Sequence, residues 1–266
     1  MKIALCLFGY SKGSTVYAGG AYLSKFKHLF EQVMVHDPDV FIHCWEPELE
    51  KELVSLFKPK MYSFQNQLSF KDKIGNFDNH RFRNSRGDIF KTLSFFYTRK
   101  KANDLKILAE KEGGFTYDCV ITSRFDAGYH NHGKNQTSYI DFNLHSDMSC
   151  VYSAYWPQIN AGISDHWFYS NSENIDKICD IYDHVLSYLV ADSEYCQTMR
   201  EGWFDSSEDE QYSNEFLKNS KLRTTNLKKY VDHYCLNNHC LYKWHFYKKG
   251  LWHPDRCKFL NEELWK

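Results

Sequence analysis

Three short apolar segments near the N-terminus, separated by stretches with helical spacing, constrain the fold of this chain most. Residues 2–8, 39–45 and 60–64 each predict a strand. Residues 46–57 predict a helix between the last two strands. Between the first two, apolar residues recur at helical spacing: Leu23, Phe26, Phe30, Val33 and Met34. This β-α-β-α-β order favours an α/β fold with a mostly parallel central sheet and right-handed crossovers.

The remaining pattern extends this organisation to the whole chain. It predicts a long polar loop over 65–88, a helix over 88–111, strands over 117–126 and 147–155, and helices over 172–190 and 207–218. The tail, 231–260, is rich in His, Tyr, Trp and Cys and gives no clear assignment. No repeat, low-complexity tract or linker divides the 266 residues, so we expect one domain with two lobes.

Composition excludes several classes of protein. Hydrophobic residues make up 42% of the chain and aromatic residues 17%, which excludes disorder as the main state. A net charge of −1 provides no field for nucleic acid or an anionic membrane. The apolar run at the N-terminus is too short for a signal peptide, and no run approaches the ~20 residues of a membrane helix. Nine scattered cysteines indicate reduced thiols, hence a cytoplasmic protein, in the host cytoplasm if the source is viral.

The segment Tyr117–Asp126 is the strongest functional signal. It reads as an apolar strand that ends in an arginine and a carboxylate two residues apart. Because side chains alternate along an extended chain, Arg124 and Asp126 should point the same way while Phe125 turns into the core. Ligands of open α/β sheets bind at the carboxyl ends of strands. An Asp there can hold a divalent cation against a diphosphate, and an Arg can clamp phosphate oxygens. The alternative is a simple Arg–Asp surface pair.

Three of these segments together resemble glycosyltransferases of the GT-A fold, in particular a viral and bacterial group. The features in series are a Lys-Ile-Ala-Leu-Cys-Leu-type strand ending in Gly (2–9), an Asp-Val-Phe-Ile-His-x-Trp strand (39–45) and a Tyr-Asp-x-Val-Ile-x-x-Arg-Phe-Asp strand (117–126). The resemblance fades after about residue 170. It implies a Rossmann-like GT-A domain over 1–266, with a nucleotide-sugar half (1–126) and a half (127–266) for a glycan or glycoconjugate acceptor.

The resemblance also implies a metal site. In the GT-A fold an Asp-x-Asp motif at the end of the central strand holds Mn²⁺ or Mg²⁺ against the donor diphosphate. Asp126 matches the metal-binding carboxylate, whereas Arg124 stands at the first acidic position. Arg124 would then replace part of the cation's charge or grip a phosphate directly. A histidine supplies a further metal ligand in several GT-A families, and His253, before Pro254, is the candidate here.

Residues that follow the first two strands are candidates for donor binding. Phe8 and Gly9 end the first strand, and Tyr10 and Lys12 follow in a glycine-containing loop that would lie beside the nucleotide. Tyr10 would stack on the base. An ordinary strand-to-helix turn explains this loop equally well. Trp45, at the end of the second strand, would form a wall of the pocket.

Candidates for acceptor binding and proton transfer lie in the second half. Asp165 precedes an aromatic cluster and fits acceptor binding or catalysis, with a helix N-cap as its alternative role. An inverting transferase needs a carboxylate to take the acceptor proton. Inverting GT-A enzymes often place that base near the start of a late helix, which matches Glu208, Asp209 and Glu210. Acidic residues in a first helical turn are also ordinary, because they complement the helix dipole.

Two readings without transferase activity stay open. The first is a non-catalytic carbohydrate- or nucleotide-binding module with a degenerate metal site, which Arg124 in place of an acid favours. The second is a zinc-stabilised interaction protein based on the His/Cys-rich tail. Cys235 and Cys240 are five positions apart, which fits the usual spacing of zinc ligands only loosely.

Overall fold

The structure is a computed structural model that describes residues 1–11, 26–75, 88–127, 140–155, 162–201 and 235–260. The first half contains β1 (Ile3–Gly9), α1 (Lys27–Gln32), β2 (Asp39–Cys44), α2 (Glu50–Phe57), β3 (Met61–Phe64), α3 (Lys71–Ile74), α4 (Ile89–Gly113) and β4 (Cys119–Arg124). The second half contains β5 (Val151–Ala154), β6 (Trp167–Ser170), α5 (Ser172–Cys179), α6 (Ile181–Tyr188), α7 (Glu194–Glu201), α8 (Asn238–Lys248) and β7 (Cys257–Leu260). Short 3₁₀ helices cover Met34–His36 and Pro47–Leu49.

The strands in these ranges form one seven-stranded sheet in the order β3-β2-β1-β4-β6-β5-β7. Strands β3, β2, β1 and β4 are parallel to one another, β6 is antiparallel to both β4 and β5, and β7 is parallel to β5. The predicted α/β class with a mostly parallel, helix-flanked sheet is therefore confirmed. The architecture is compatible with a Rossmann-like fold.

Both faces of the sheet are covered, which explains the near-continuous apolar run of β1. Alternate residues of this strand enter two different core clusters. Ala4, Cys6 and Phe8 pack in the cluster that includes α4, whereas Leu5 and Leu7 pack in the cluster that includes α1 and α2. Full burial of each leucine contributes roughly 1.5–3 kcal/mol. Packing on both faces of the sheet therefore fixes the position of β1, including its carboxyl end.

Helix α4 is the long element that packs across β1, β2 and β3. Asp88 caps its N-terminus, where the carboxylate accepts a hydrogen bond from the Phe90 N–H at 2.9 Å. Gly114 ends it in the left-handed conformation, with φ 62°, and donates its N–H to the carbonyl of Glu110. The Gly9 N–H donates to the Thr98 hydroxyl at 3.1 Å. The N-terminal part of α4 therefore lies at the carboxyl end of β1.

Several elements differ from the prediction. The helix expected over 172–190 is two helices that meet at Asp180, and α3 lies within the segment predicted as a loop. The strand expected over 147–155 is confined to β5. Strand β6 was not predicted, because all four of its residues are buried and their pattern carries no alternation. The helix expected over 207–218 lies outside the described residues.

Two further observations concern the cysteines and the presence of membrane-spanning helices. All nine cysteines are buried thiols rather than disulfides, as the sequence predicted. No helix within the described ranges has both the length and the apolar composition to cross a membrane.

Candidate functional site

The sheet order creates a crevice at the carboxyl ends of β1 and β4. From β1 the order continues through β2 to β3 on one side, and through β4 on the other, so the connections diverge between β1 and β4. In open α/β sheets ligands bind at such a switch point. A cavity of about 310 Å³ lies there, which is within the range of small-molecule sites. We call it the switch-point cavity; it is lined by Phe8, Gly9, Tyr10, Trp45, Gln67, Lys91, Ser94, Phe95, Thr98, Arg124 and Asp126.

Arg124 and Asp126 form a bidentate ion pair at the carboxyl end of β4. The Arg124 Nε donates to Asp126 Oδ1 at 2.7 Å, and Nη2 donates to Oδ2 at 2.6 Å. Phe125 between them is fully buried, as the strand alternation predicted. The Asp126 side chain is only 5% exposed and that of Arg124 is 30% exposed, so this is not a simple surface pair. Burial opposes the charge of Arg124, but Asp126 and Asp165 outweigh it and raise the pKa of the guanidinium.

The donor set at Asp126 permits a divalent cation but does not enclose one. Its carboxylate offers the hard oxygen ligands that Mg²⁺ and Mn²⁺ prefer, although both oxygens already accept hydrogen bonds from Arg124. Nowhere in the described part of the chain do three or more His, Cys, Asp or Glu side chains come together to hold a metal.

His253 is not brought to this cavity. It lies before β7, and β7 runs parallel to β5, whose carboxyl end is on the same sheet edge as that of β4. His253 is therefore at the amino-terminal edge of the sheet, opposite Asp126, where its ring is 55% exposed and lies 3.5 Å from Asp255. This placement does not support His253 as a ligand to a cation shared with Asp126.

Aromatic residues form one wall of the switch-point cavity. The ring of Trp45 stacks on Tyr97 with centroids 5.4 Å apart and planes 15° from parallel. The Tyr10 hydroxyl donates to Gln67 Oε1, and Gln67 Nε2 donates to the Ser94 hydroxyl at 2.8 Å. Tyr10 itself is 43% exposed, so its ring presents a face at the rim. The wall is fixed by stacking at Trp45 and by hydrogen bonds at Tyr10.

His43, next to this wall, is a core residue. Its ring is fully buried, and Nδ1 lies 2.5 Å from the Thr98 hydroxyl. Burial, together with the charge of Lys101, lowers the pKa of His43 to about 4, so the ring is neutral at pH 7. His43 therefore supports Thr98, which in turn accepts the Gly9 N–H, and this chain fixes the carboxyl end of β1.

A second cavity of about 280 Å³ adjoins the first, and Lys91 lines both. We call it the Asp165 cavity; it is lined by Asp88, Lys91, Thr92, Asp165, Leu236, Asn237, Asn238 and His239. Buried Arg99 supports it by donating to the Asp165 carbonyl at 2.7 Å and to the Tyr242 hydroxyl at 2.6 Å. The Arg99 guanidinium also lies 4.4 Å from the centre of the Phe8 ring. One buried cation thus contacts the walls of both cavities.

Asp165 is ionised at neutral pH. Burial alone would raise its pKa, but electrostatic interactions with neighbouring histidines and arginines outweigh burial and lower the pKa of this carboxyl to about 2. In order of effect, these neighbours are His239, His166, Arg124 and Arg99. Burial and the charge of Arg124 lower the pKa of His166 to about 4, so that ring is neutral at pH 7. Asp165 does not cap a helix, which was its alternative role, because it precedes strand β6.

The structure brings together most of the candidates named from the sequence. Six of them line the switch-point cavity: Phe8, Gly9, Tyr10, Trp45, Arg124 and Asp126. Asp165 lines the adjoining cavity. Four others lie outside the described residues: Lys12, Glu208, Asp209 and Glu210.

The sequence analysis missed the residues that α4 contributes. Lys91, Ser94, Phe95 and Thr98 all line the switch-point cavity. Their spacing of three and four places them on one face of the helix, and this face mixes polar with apolar side chains. A polar strip on an otherwise core-facing side was the signal that could have identified them.

The His/Cys-rich tail does not form a cluster in the described residues. Cys240 is buried on α8 and Cys257 is buried on β7. His245 Nε2 lies 2.7 Å from Asp180 and Nδ1 lies 2.8 Å from the Tyr188 hydroxyl, so this ring belongs to a polar network between helices.

No protein-family model matches this chain, and no curated protein or solved structure matches it either.

Proposed function

We propose that this protein is a glycosyltransferase of the GT-A type that moves a sugar from a nucleotide-diphosphate donor to an acceptor hydroxyl. The observation that carries the proposal is the switch-point cavity. It combines the Arg124–Asp126 pair at the end of β4 with aromatic rings at the ends of β1 and β2. Phosphate-binding charge and stacking surface within one cavity suit a nucleotide diphosphate. The three sequence segments that resemble GT-A transferases supply the ends of these same strands.

The diphosphate of the donor would lie against Arg124 and Lys91. A guanidinium offers a planar fork that matches two phosphate oxygens, and a lysine adds a mobile point charge. Both side chains line the cavity. As the bond between the sugar and the β-phosphate breaks, these cations stabilise the charge that develops on the leaving diphosphate.

Asp126 would have two roles. It orients Arg124 through the paired hydrogen bonds, and it would supply one carboxylate to a divalent cation, Mn²⁺ or Mg²⁺. When bound, such a cation would neutralise part of the diphosphate charge. The aromatic wall would hold the base, with the exposed face of Tyr10 as the stacking surface.

Calorimetry with a panel of UDP- and GDP-sugars, with and without Mn²⁺, tests this proposal. We expect a nucleotide sugar to bind, and Arg124→Gln to weaken its binding at least tenfold. Glu173→Gln is the matched control, because Glu173 also pairs with a cation, Lys177 at 2.6 Å, but lines neither cavity. The proposal fails if no nucleotide sugar binds, or if both variants bind like the wild type.

A non-catalytic nucleotide- or carbohydrate-binding module is the second candidate. The observation that favours it is the occupation of both Asp126 oxygens by Arg124, which leaves a cation fewer lone pairs. Such a module would bind a nucleotide sugar and never release the nucleoside diphosphate. Measuring diphosphate release in the presence of mixed methyl glycosides separates the two, because only the transferase gives turnover.

A further inference from the structure

The carboxylate of Asp165 is buried in the wall of the Asp165 cavity and has no short side-chain hydrogen bond within the described residues. The residue is 6% exposed and ionised at neutral pH. Its side-chain contacts within the described residues are long: Asn238 Nδ2 lies 3.5 Å from Oδ2, and His166 Nε2 lies 3.9 Å from Oδ1. A buried carboxylate normally accepts several short hydrogen bonds. This one therefore has the capacity to accept a ligand hydroxyl or to stabilise a cation that forms beside it.

His239, in the same cavity, is held in one orientation. Its Nδ1 lies 2.7 Å from the carbonyl oxygen of Ile163, which only accepts, so Nδ1 must carry the proton. In the neutral ring, Nε2 then carries the lone pair. The Ile163 N–H donates back to the His239 carbonyl at 3.2 Å. Gly162 completes the contact, because a Cβ at that position would lie 2.3 Å from the His239 carbonyl carbon.

Charged side chains lie around His239 in this cavity. Asp165 is the nearby anion, and of the electrostatic interactions that lower the Asp165 pKa, the one with His239 is the largest. Asp88 also lines the cavity, as does Lys91, which carries the opposite charge. Arg124, Arg99 and neutral His166 also lie close to Asp165. Asp165 itself is too weak a base to take a hydroxyl proton, because its pKa is about 2.

We propose that the Asp165 cavity binds the sugar acceptor and that His239 is its catalytic base. This inference rests on the proposed transferase function. His239 Nε2 takes the proton of the acceptor hydroxyl, whose oxygen bonds to the anomeric carbon of the donor sugar. The bond from that carbon to the β-phosphate oxygen breaks, and its electron pair leaves with the nucleoside diphosphate. Asp165 stabilises the imidazolium, and the reaction inverts the anomeric configuration.

The test compares His239→Asn with the wild type, using UDP- and GDP-sugars and a panel of methyl glycosides as acceptors. Asparagine keeps an N–H donor for the Ile163 carbonyl but has no basic nitrogen at the position of Nε2. We expect the donor Kd to stay within twofold and kcat to fall roughly 100- to 10,000-fold. The limb of the kcat profile that rises with pH should disappear. His145→Asn, an exposed histidine outside both cavities, should match the wild type.

Two outcomes separate this inference from the function it rests on. If the wild type transfers sugar and His239→Asn keeps kcat within threefold with the same pH profile, the base assignment alone is wrong. If the wild type neither binds nor turns over any nucleotide sugar, the proposed function fails and the base with it. A second variant covers loss of structure: His239→Ala should regain turnover on addition of imidazole, with the gain tracking the unprotonated imidazole. Absence of that rescue in a folded variant contradicts the assignment.

Discussion

Replacing Asp126 by Asn is the perturbation that most directly probes the switch-point cavity. The substitution keeps the shape of the side chain but places an N–H₂ group opposite one of the Arg124 donors. It therefore removes one of two charge-assisted hydrogen bonds, of 2.6 and 2.7 Å, and the anion that balances the guanidinium. Hydrogen bonds to charged groups contribute about 1.5–3 kcal/mol, and breaking a buried ion pair costs about 3–5 kcal/mol.

Solvent access reduces the upper figure. The Arg124 side chain is 30% exposed, so water can partly solvate the guanidinium once its partner is gone. We expect Asp126→Asn to lower the free energy of unfolding by about 2–3 kcal/mol. For a chain of this size that corresponds to a fall in Tm of about 4–10 °C. Urea denaturation at pH 7 measures the first quantity, and calorimetry the second.

A double-mutant cycle with Arg124→Gln isolates the pair. The coupling between the two sites should exceed about 1 kcal/mol, because each single variant leaves the other partner unsatisfied. The exposed Glu173–Lys177 pair is the control, and its coupling should stay below about 0.5 kcal/mol. Below the Tm, folded Asp126→Asn should also lose turnover of the nucleotide sugar. Coupling near zero at Arg124–Asp126 would refute the buried pair, and unchanged turnover would refute its catalytic role.

Three further predictions concern stability. The pKa values of His43 and His166 are lowered to about 4, so the folded protein favours the neutral form of each ring. Their contribution to the free energy of unfolding is therefore present above pH 6.5 and is lost as the pH falls towards 4. Urea denaturation at a series of pH values should show this loss in the free energy of unfolding, about 3 kcal/mol per group. The His43→Asn variant should show a shallower dependence of that free energy on pH than the wild type, and equal slopes for the two proteins would contradict the prediction. Gly162→Ala should destabilise by about 1–3 kcal/mol more than Gly114→Ala, because both need a positive φ but only Gly162 lacks space for a Cβ; equal losses in urea denaturation would contradict the clash. Thiol titration should label none of the nine cysteines rapidly in the native protein and all nine after unfolding, and rapid native labelling would contradict their burial.

The first part of the fold could be predicted from the sequence because its signals are local. Buried parallel strands appear as continuous apolar runs, and the structure contains β2, β3 and β4 within the predicted segments and β1 to within one residue of its segment. The side-chain alternation after β4 was sufficient to place Arg124 and Asp126 together. Their participation in one cavity with Tyr10 and Trp45 also follows from the rule that ligands bind at the carboxyl ends of strands.

The remainder depends on contacts that are distant in sequence. Strand β6 is antiparallel and fully buried, so neither its direction nor its type follows from its four residues. The two-pronged pairing that occupies both Asp126 oxygens is a matter of rotamers, which sequence spacing does not determine. His239 meets the segment after Gly162 across 76 positions, and only the folded sheet brings α8 to that segment. For that reason the sequence analysis did not identify His239 as a site residue.

A crystal structure with UDP or GDP and Mn²⁺ bound is the most direct test of the central claim. We expect the diphosphate at the carboxyl ends of β1 and β4, with phosphate oxygens within hydrogen-bond distance of the Arg124 guanidinium and the base against Tyr10. A nucleotide bound elsewhere on the protein, or a cavity that stays empty at saturating nucleotide, would contradict it.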